Sequence, residues 1–153
     1  MKIEEKLNQM GINIPEAAKP VASYVPFRRV GNLVYISGQD CRINGKLKYE
    51  GKVGTDVTEE EAYEAAKITM INLLAILKSA IGDFDKVVKI VNLHGFVNSA
   101  DDFARQPFVI NGASDFLLEV FGEKGKHSRC ALSANELPFN TPVEIEMIVE
   151  VED

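Results

Sequence analysis

Cysteine and histidine are scarce in this 153-residue chain, which has two of each. Cys41 and Cys130 lie far apart and form no Cys-x-x-Cys pair, so neither a disulfide framework nor a zinc site is indicated. His94 and His127 do not stand at the spacing of metal ligands. The sequence therefore predicts no metal site, and no other cofactor is expected.

Long apolar runs and an excess of positive charge are also missing. No apolar run approaches the ~20 residues that span a bilayer. The N-terminal MKIEEKLNQMG lacks the apolar core and the small-residue cleavage site of a signal peptide, so we expect a cytoplasmic protein without membrane contact. The net charge of −6 argues against a nucleic-acid partner, because binding to the phosphate backbone needs a basic stripe.

The composition is ordinary for one globular domain. The chain is 46% hydrophobic and 26% charged, and its length suits a single core. We therefore interpret residues 1–153 as one domain.

Three segments have the features of helices. Residues 2–10 carry apolar side chains at helical spacing and stop at a glycine. Thr58 and Glu61 form a capping box at the start of a helix that runs to about residue 80. Pro107 suits the first turn of a helix that runs to about residue 121.

Several segments have the features of strands, and tight turns are indicated at Gly31-Asn32 and Asn44-Gly45. The predicted strands are 21–30, 33–37, 46–49, 85–97 and two runs within 128–151. Strands and helices do not alternate strictly, which favours an α+β fold. The two longer helices are apolar enough to cover one face of the sheet.

The stretch from residue 128 to residue 151 combines a lone arginine with an amphipathic strand. Apolar and acidic residues alternate from Val143 onward, which is typical of a strand with one buried face. Leu137–Asn140 supplies a turn, so a hairpin-like pairing of the two runs could bring Arg129 near Glu144. Spacing alone leaves open whether this pair is a functional site or a surface ion pair of little energetic value.

Two short motifs resemble the RidA family, also called YjgF/YER057c/UK114. One is Arg129-Cys130 followed by Leu137-Pro138 and Val143-Glu144-Ile145, and the other is the strand that ends in Ser37-Gly38-Gln39. Tyr24 falls where the family keeps an active-site tyrosine. The resemblance runs from about residue 20 onward, so residues 1–18 are an N-terminal helical extension, which we expect to pack on the core or on a neighbouring subunit.

The resemblance implies a chorismate-mutase-like fold, a homotrimer with clefts between its subunits, and hydrolysis of reactive imines or enamines such as 2-aminoacrylate to 2-keto acids and ammonia. Arg129 would bind the carboxylate of the substrate through two parallel hydrogen bonds, and Glu144 would orient water or accept its proton. Tyr24, Asn111 and Cys130 would complete the substrate-binding residues. The partners expected are a small imine or 2-keto acid and two further copies of the chain.

Departures from the family pattern indicate a divergent subgroup. His127 stands two residues before the arginine, where the family commonly has proline or alanine, and the spacing before Asn111 differs by a few positions. Cys130 could instead be a reactive thiol or a small buried side chain. Two other functions stay open: a non-catalytic sensor of small carboxylic acids, and the endoribonuclease or translation-inhibitor activity attributed to some relatives, which the acidic charge disfavours.

Overall fold

The structure is a computed structural model that describes residues 2–19 and 23–153. Its helices are α1 (Lys2–Gln9), α2 (Glu59–Ile81) and α3 (Gln106–Phe121). Its strands are β1 (Phe27–Val30), β2 (Leu33–Gln39), β3 (Arg42–Ile43), β4 (Lys46–Leu47), β5 (Val87–Asn98), β6 (Ser128–Ala134) and β7 (Val143–Val151).

A five-stranded sheet in the order β1-β2-β7-β5-β6 organises the fold, with the short β3–β4 hairpin apart from it. β5 and β6 run parallel, and the other neighbours are antiparallel. The prediction that the two runs within 128–151 pair like a hairpin is therefore wrong. β5 lies between β6 and β7 and pairs with both.

The connection between β5 and β6 explains why the hairpin does not form. α3 carries the chain back along the sheet, so that β6 starts from the same end as β5 and pairs with it in parallel. Parallel strands need a crossover of this kind, most often a helix. β6 then pairs with one edge of β5, and β7 pairs with the other edge.

Helices α2 and α3 cover one face of the sheet, as the sequence predicts. Thr58 Oγ accepts from the backbone N–H of Glu61 at 3.1 Å, and the Glu61 carboxylate accepts from the backbone N–H of Thr58 at 3.0 Å, which completes the capping box. A side chain at Gly112 would overlap the carbonyl oxygen of Tyr63, so α3 approaches α2 closely at this glycine. This arrangement is the α+β, chorismate-mutase-like fold that the resemblance implies.

α1 packs on the folded body rather than extending into solvent. Leu7 is only 2% exposed and belongs to the main core, and Ile3 and Met10 pack against that core. The Asp85 carboxylate accepts from the backbone N–H groups of Lys2 at 2.8 Å and Ile3 at 3.0 Å. These donors have no partner within a helix, so a carboxylate from elsewhere in the chain caps α1.

The predicted turns are present, but two predicted strands are shorter than expected. β1 begins at Phe27 instead of residue 21, and residues 21 and 22 of that prediction lie outside the described residues. The strand predicted over 46–49 is reduced to β4, which pairs only with β3. Between them Asn44 and Gly45 have φ of 52° and 82°, the positive values that a tight two-residue hairpin requires.

In the part of the chain that the structure describes, no helix combines the length and apolar character needed to cross a membrane.

Candidate functional site

Arg129 stands on β6 with its side chain directed toward α3. Its Nη1 donates to Ser114 Oγ at 3.0 Å and its Nη2 donates to the Pro107 carbonyl at 3.3 Å. Its partner on β5 is Leu93, which is fully buried beneath the helices. Among the described residues, two of the five guanidinium N–H groups are bound, and the other three can bind an anion.

Asn111 lies on the same side of α3 as the two groups that hold Arg129. Pro107, Asn111 and Ser114 are spaced as i, i+4 and i+7, which places them in one row along a helix. Asn111 is half-buried, and its side-chain amide makes no hydrogen bond to the described residues. The structure therefore brings together two of the predicted site residues. His127 Nε2 lies 2.8 Å from Ser114 Oγ, and we call Arg129, Asn111, Ser114 and His127 the arginine half-site.

Glu144 stands on β7 with its side chain on the other, helix-free face of the sheet. Val143 and Ile145 on either side of it are fully buried beneath the helices, and side chains alternate along a strand. A Cβ added to Gly38 would lie 3.4 Å from the carboxyl group of Glu144. The glycine of the Ser37-Gly38-Gln39 motif therefore leaves the backbone of β2 close to this carboxylate.

The surroundings of Glu144 favour its neutral form more than water does. Burial, followed by the negative charges of Asp40 and Glu146, raises the pKa of Glu144 above its usual range. A raised pKa makes a carboxylate a stronger base, which suits it to accept a proton from water.

Tyr24 lies close in the chain to the same part of β2. The hydroxyl of Ser37 donates to the carbonyl of Val25 at 2.8 Å, and the backbone N–H of Ser37 donates to the carbonyl of Pro26 at 2.9 Å. These bonds hold the segment that follows Tyr24 beside the strand that carries Gly38. Tyr24 itself is 53% exposed. We call Glu144, Gly38 and Tyr24 the glutamate half-site.

Within one chain the two half-sites are separate. Arg129 is opposite Leu93 and Glu144 is opposite Phe96, with β5 between their strands. Two inter-strand spacings and three residues along the strand put their Cα atoms roughly 14 Å apart. Because the two side chains also point to opposite faces of the sheet, they cannot share a substrate bound to a single copy.

Cys130 falls on the opposite face from Arg129, its neighbour in the sequence. It is exposed, so the interpretation of this cysteine as a small buried side chain is wrong. Its partner on β5 is His94, whose Nδ1 lies 2.9 Å from the carboxylate of Glu146. Within a single chain Cys130 shares the helix-free face with Glu144 and does not reach the guanidinium.

A cavity of about 510 Å³ lies away from both charged residues, between the segment after α1, the start of the β3–β4 hairpin and the outer side of α2. Gln39 and Asp40, which follow Gly38 in the chain, line it. Neither Arg129 nor Glu144 lines it. The chemistry-bearing residues of the two half-sites therefore lie outside this cavity.

No group of three or more histidine, cysteine, aspartate or glutamate side chains in the described ranges could hold a metal ion.

Ser114 and Asp40 are the site residues that sequence reasoning missed. Ser114 stands three residues after Asn111 and so on the same side of a helix, a spacing that could have indicated it. Asp40 follows the Ser37-Gly38-Gln39 motif directly, but only the fold shows that its charge acts on Glu144.

A family described as "YjgF/chorismate_mutase-like, putative endoribonuclease" matches residues 4–151 of the chain. Protein TCP17 of Trypanosoma cruzi is 36% identical over 98% of this chain and 94% of its own length. A 2-iminobutanoate/2-iminopropanoate deaminase of Dermatophagoides farinae is 30% identical over 92% of this chain and 95% of its own length.

A solved structure also has the same fold. The protein Atu1372 of Agrobacterium tumefaciens, whose function is unknown, superposes with a TM-score of 0.92 at 44% identity, covering 98% of this chain and 92% of its own.

Proposed function

Because this chain belongs to the YjgF/chorismate-mutase-like family, the RidA family of the sequence analysis, we propose that it hydrolyses reactive imines and enamines that carry a carboxylate. The products are a 2-keto acid and ammonia. The relative from Dermatophagoides farinae, which is named as a deaminase of 2-iminobutanoate and 2-iminopropanoate, supports this substrate class.

The observation that carries the proposal is the way α3 holds Arg129. With Ser114 and Pro107 occupying two N–H groups, the remaining donors of the planar guanidinium can bind both oxygens of a carboxylate. Asn111 stands beside them with an amide that can reach the substrate. Holding the carboxylate in this way fixes the imine carbon relative to the protein, and positioning of this kind lowers a barrier by several kcal/mol.

Glu144 supplies the second part of the reaction. The oxygen of water bonds to the imine carbon while the C=N electron pair moves to the nitrogen, which takes up a proton from solvent, and Glu144 takes the proton that water loses. Glu144 then gives this proton to the amino group, which leaves as ammonia, while the remaining hydroxyl group returns its proton to solvent and becomes the C=O of the 2-keto acid. The reaction consumes only water, so it requires no oxidant or reductant. Tyr24, which precedes the segment bonded to Ser37 of β2, would close over the substrate.

We propose that the complete site forms between two copies in a homotrimer, with Arg129 from one copy and Glu144 from its neighbour. The helix-free face exposes apolar side chains that a monomer would leave in water. Tyr35 is 45% exposed and Leu132 is 53% exposed, and Tyr35 pairs with Ile148, the one break in the acidic alternation of β7. Covering this face would bury these apolar side chains and close the glutamate half-site against a neighbouring copy.

The experiment is a hydrolysis assay in which 2-aminoacrylate and 2-iminobutanoate are generated in the presence of the protein and 2-keto acid formation is followed. We expect wild-type protein to accelerate the reaction above the spontaneous rate. A wild type that accelerates neither reaction, yet binds a 2-keto acid in a manner that requires Arg129, would establish the sensor instead. The endoribonuclease activity named in the family description is not proposed, because the net charge of −6 opposes binding to a phosphate backbone.

A further inference from the structure

Arg129 is the end of a chain of hydrogen bonds that passes through two side chains. Its Nη1 is 3.0 Å from Ser114 Oγ, which in turn is 2.8 Å from His127 Nε2. The other ring nitrogen, Nδ1, is 2.6 Å from the carbonyl oxygen of Gly125. Ser114 is 8% exposed, so its hydroxyl group has little access to water.

The carbonyl of Gly125 fixes the direction of every bond in this chain. A carbonyl oxygen only accepts, so His127 Nδ1 must carry a hydrogen. In the neutral ring Nε2 is then the acceptor, and the Ser114 hydroxyl donates to it. The lone pairs of Ser114 Oγ are consequently left to face the N–H of Arg129. Each group thus uses the donor or acceptor that its neighbour requires.

We infer that Ser114 and His127 are positioning residues that aim the guanidinium of Arg129 at the carboxylate of the substrate. The inference rests on the proposed function, because it concerns the same arginine. An arginine side chain loses rotamer entropy when it is held. Two-point binding of a carboxylate also requires the plane of the guanidinium to be set. The Ser114 hydroxyl, oriented by His127, sets that plane together with the Pro107 carbonyl.

The test compares Ser114→Ala with Ser114→Thr, which keeps the hydroxyl group. Ser79→Ala, which also removes a helix hydroxyl but lies on α2, is the matched control. Affinity for 2-oxobutanoate is measured by calorimetry, and KM and kcat are measured for 2-iminobutanoate and for an imine without a carboxylate. We expect Ser114→Ala to weaken 2-oxobutanoate binding and to raise KM for the carboxylate substrate roughly three- to tenfold. Ser114→Thr should stay within about twofold of wild type, and the imine without a carboxylate should be unaffected.

His127 gives a second test that does not depend on how well Ser114→Ala folds. The amide of His127→Gln can place an oxygen near the position of Nε2 and so accept from Ser114. His127→Asn can keep the donor to Gly125 but is too short to reach Ser114. We therefore expect His127→Gln to bind 2-oxobutanoate almost as wild type does, and His127→Asn to bind it as weakly as Ser114→Ala.

The outcomes separate this inference from the proposed function. If wild type hydrolyses imines and both Ser114→Ala and His127→Asn match it in affinity and KM, the positioning role alone is wrong. If wild type hydrolyses no imine but its affinity for 2-oxobutanoate falls in these variants, the proposed reaction is wrong and the positioning role stands. If wild type neither hydrolyses imines nor binds 2-oxobutanoate, both are overturned.

Discussion

Arg129 should not tolerate replacement even by lysine. Lysine keeps the positive charge but lacks the planar pair of donors that binds both carboxylate oxygens. Loss of such a charged contact typically costs ~2–4 kcal/mol, on the order of 30- to 1000-fold in rate. We therefore expect Arg129→Lys to lose most imine hydrolysis, measured as 2-keto acid formation, with an unchanged melting temperature.

The matched control for this change is Arg29→Lys. Arg29 is an exposed arginine of β1 that donates to the backbone carbonyls of Gly31 and Glu152 and belongs to neither half-site. The Arg29→Lys variant should hydrolyse imines at the wild-type rate. Equal activity of Arg129→Lys and wild type on every imine would mean that Arg129 has a structural role only.

The pKa of Glu144 should set the pH below which kcat/KM declines. A general base works only when it is deprotonated, so kcat/KM declines as the pH drops below its pKa. Because the pKa of Glu144 is raised by burial and by the charges of Asp40 and Glu146, we expect this decline at a higher pH than for an ordinary glutamate. Asp40→Asn removes one of the negative charges and should move the decline to lower pH.

Asp101→Asn provides the comparison for the pH profile, since Asp101 is an exposed carboxylate in the turn after β5. The kcat/KM of Asp101→Asn should decline at the same pH as that of wild type. If the activity of Asp40→Asn declines at the same pH as that of wild type, a group other than Glu144 titrates in the reaction.

At the residue scale the sequence predicts Arg129 and Glu144 as site residues because short motifs carry them. It missed Ser114, which no motif marks and whose hydroxyl matters only once α3 lies across β6. The effect of Asp40 on the pKa of Glu144 was missed for a similar reason. Contacts of this type depend on which strands become neighbours, and residue types in the sequence do not state that.

Among the elements, α1 should contribute to stability without taking part in the chemistry. Leu7 is 2% exposed in the core, and replacing a buried leucine by alanine costs about 2–5 kcal/mol. We expect Leu7→Ala, and deletion of residues 1–18, to lower the melting temperature while affinity for 2-oxobutanoate is retained. Asn8→Ala, at an exposed position of the same helix, should melt like wild type.

A deletion that leaves the melting temperature unchanged would contradict the packing of α1. A deletion that also abolishes binding of 2-oxobutanoate would mean that α1 supports the site as well as the core.

The strands show where sequence reasoning about elements reaches its limit. Alternation along β7 correctly placed Val143 and Ile145 inside and Glu144 on the other face, because period two is a local property. The pairing of β6 with β7 was predicted from the turn at Leu137–Asn140 and was wrong. Strand order depends on the crossover through α3, which places β6 at one edge of β5 and leaves the other edge to β7. This crossover is not a local signal.

For the whole molecule, the separation of the half-sites predicts that two inactive variants can restore each other. In a closed ring, each site would take its arginine from one copy and its glutamate from the next. We expect co-expressed Arg129→Lys and Glu144→Gln chains to recover activity that neither variant shows alone. With random mixing of equal amounts, about one quarter of the sites would combine an intact arginine with an intact glutamate.

Light scattering on the same samples measures the assembly. A monomer at micromolar concentration would contradict the proposed homotrimer. A trimer whose mixed form stays inactive would instead show that the two residues do not meet between copies.

The position of β7 has a consequence for how the chain acquires its structure during synthesis. β7 pairs with both β2 and β5, yet it follows every other strand in the sequence. Until residues 143–151 have been made, the β1–β2 hairpin and the β5–β6 pair have no strand to join them. The core beneath the sheet therefore closes only after translation of β7, through contacts between distant parts of the chain, which favours slow folding. A nascent chain halted before residue 143 would expose unpaired strand edges. Such edges can pair with other chains and aggregate unless chaperones bind them first.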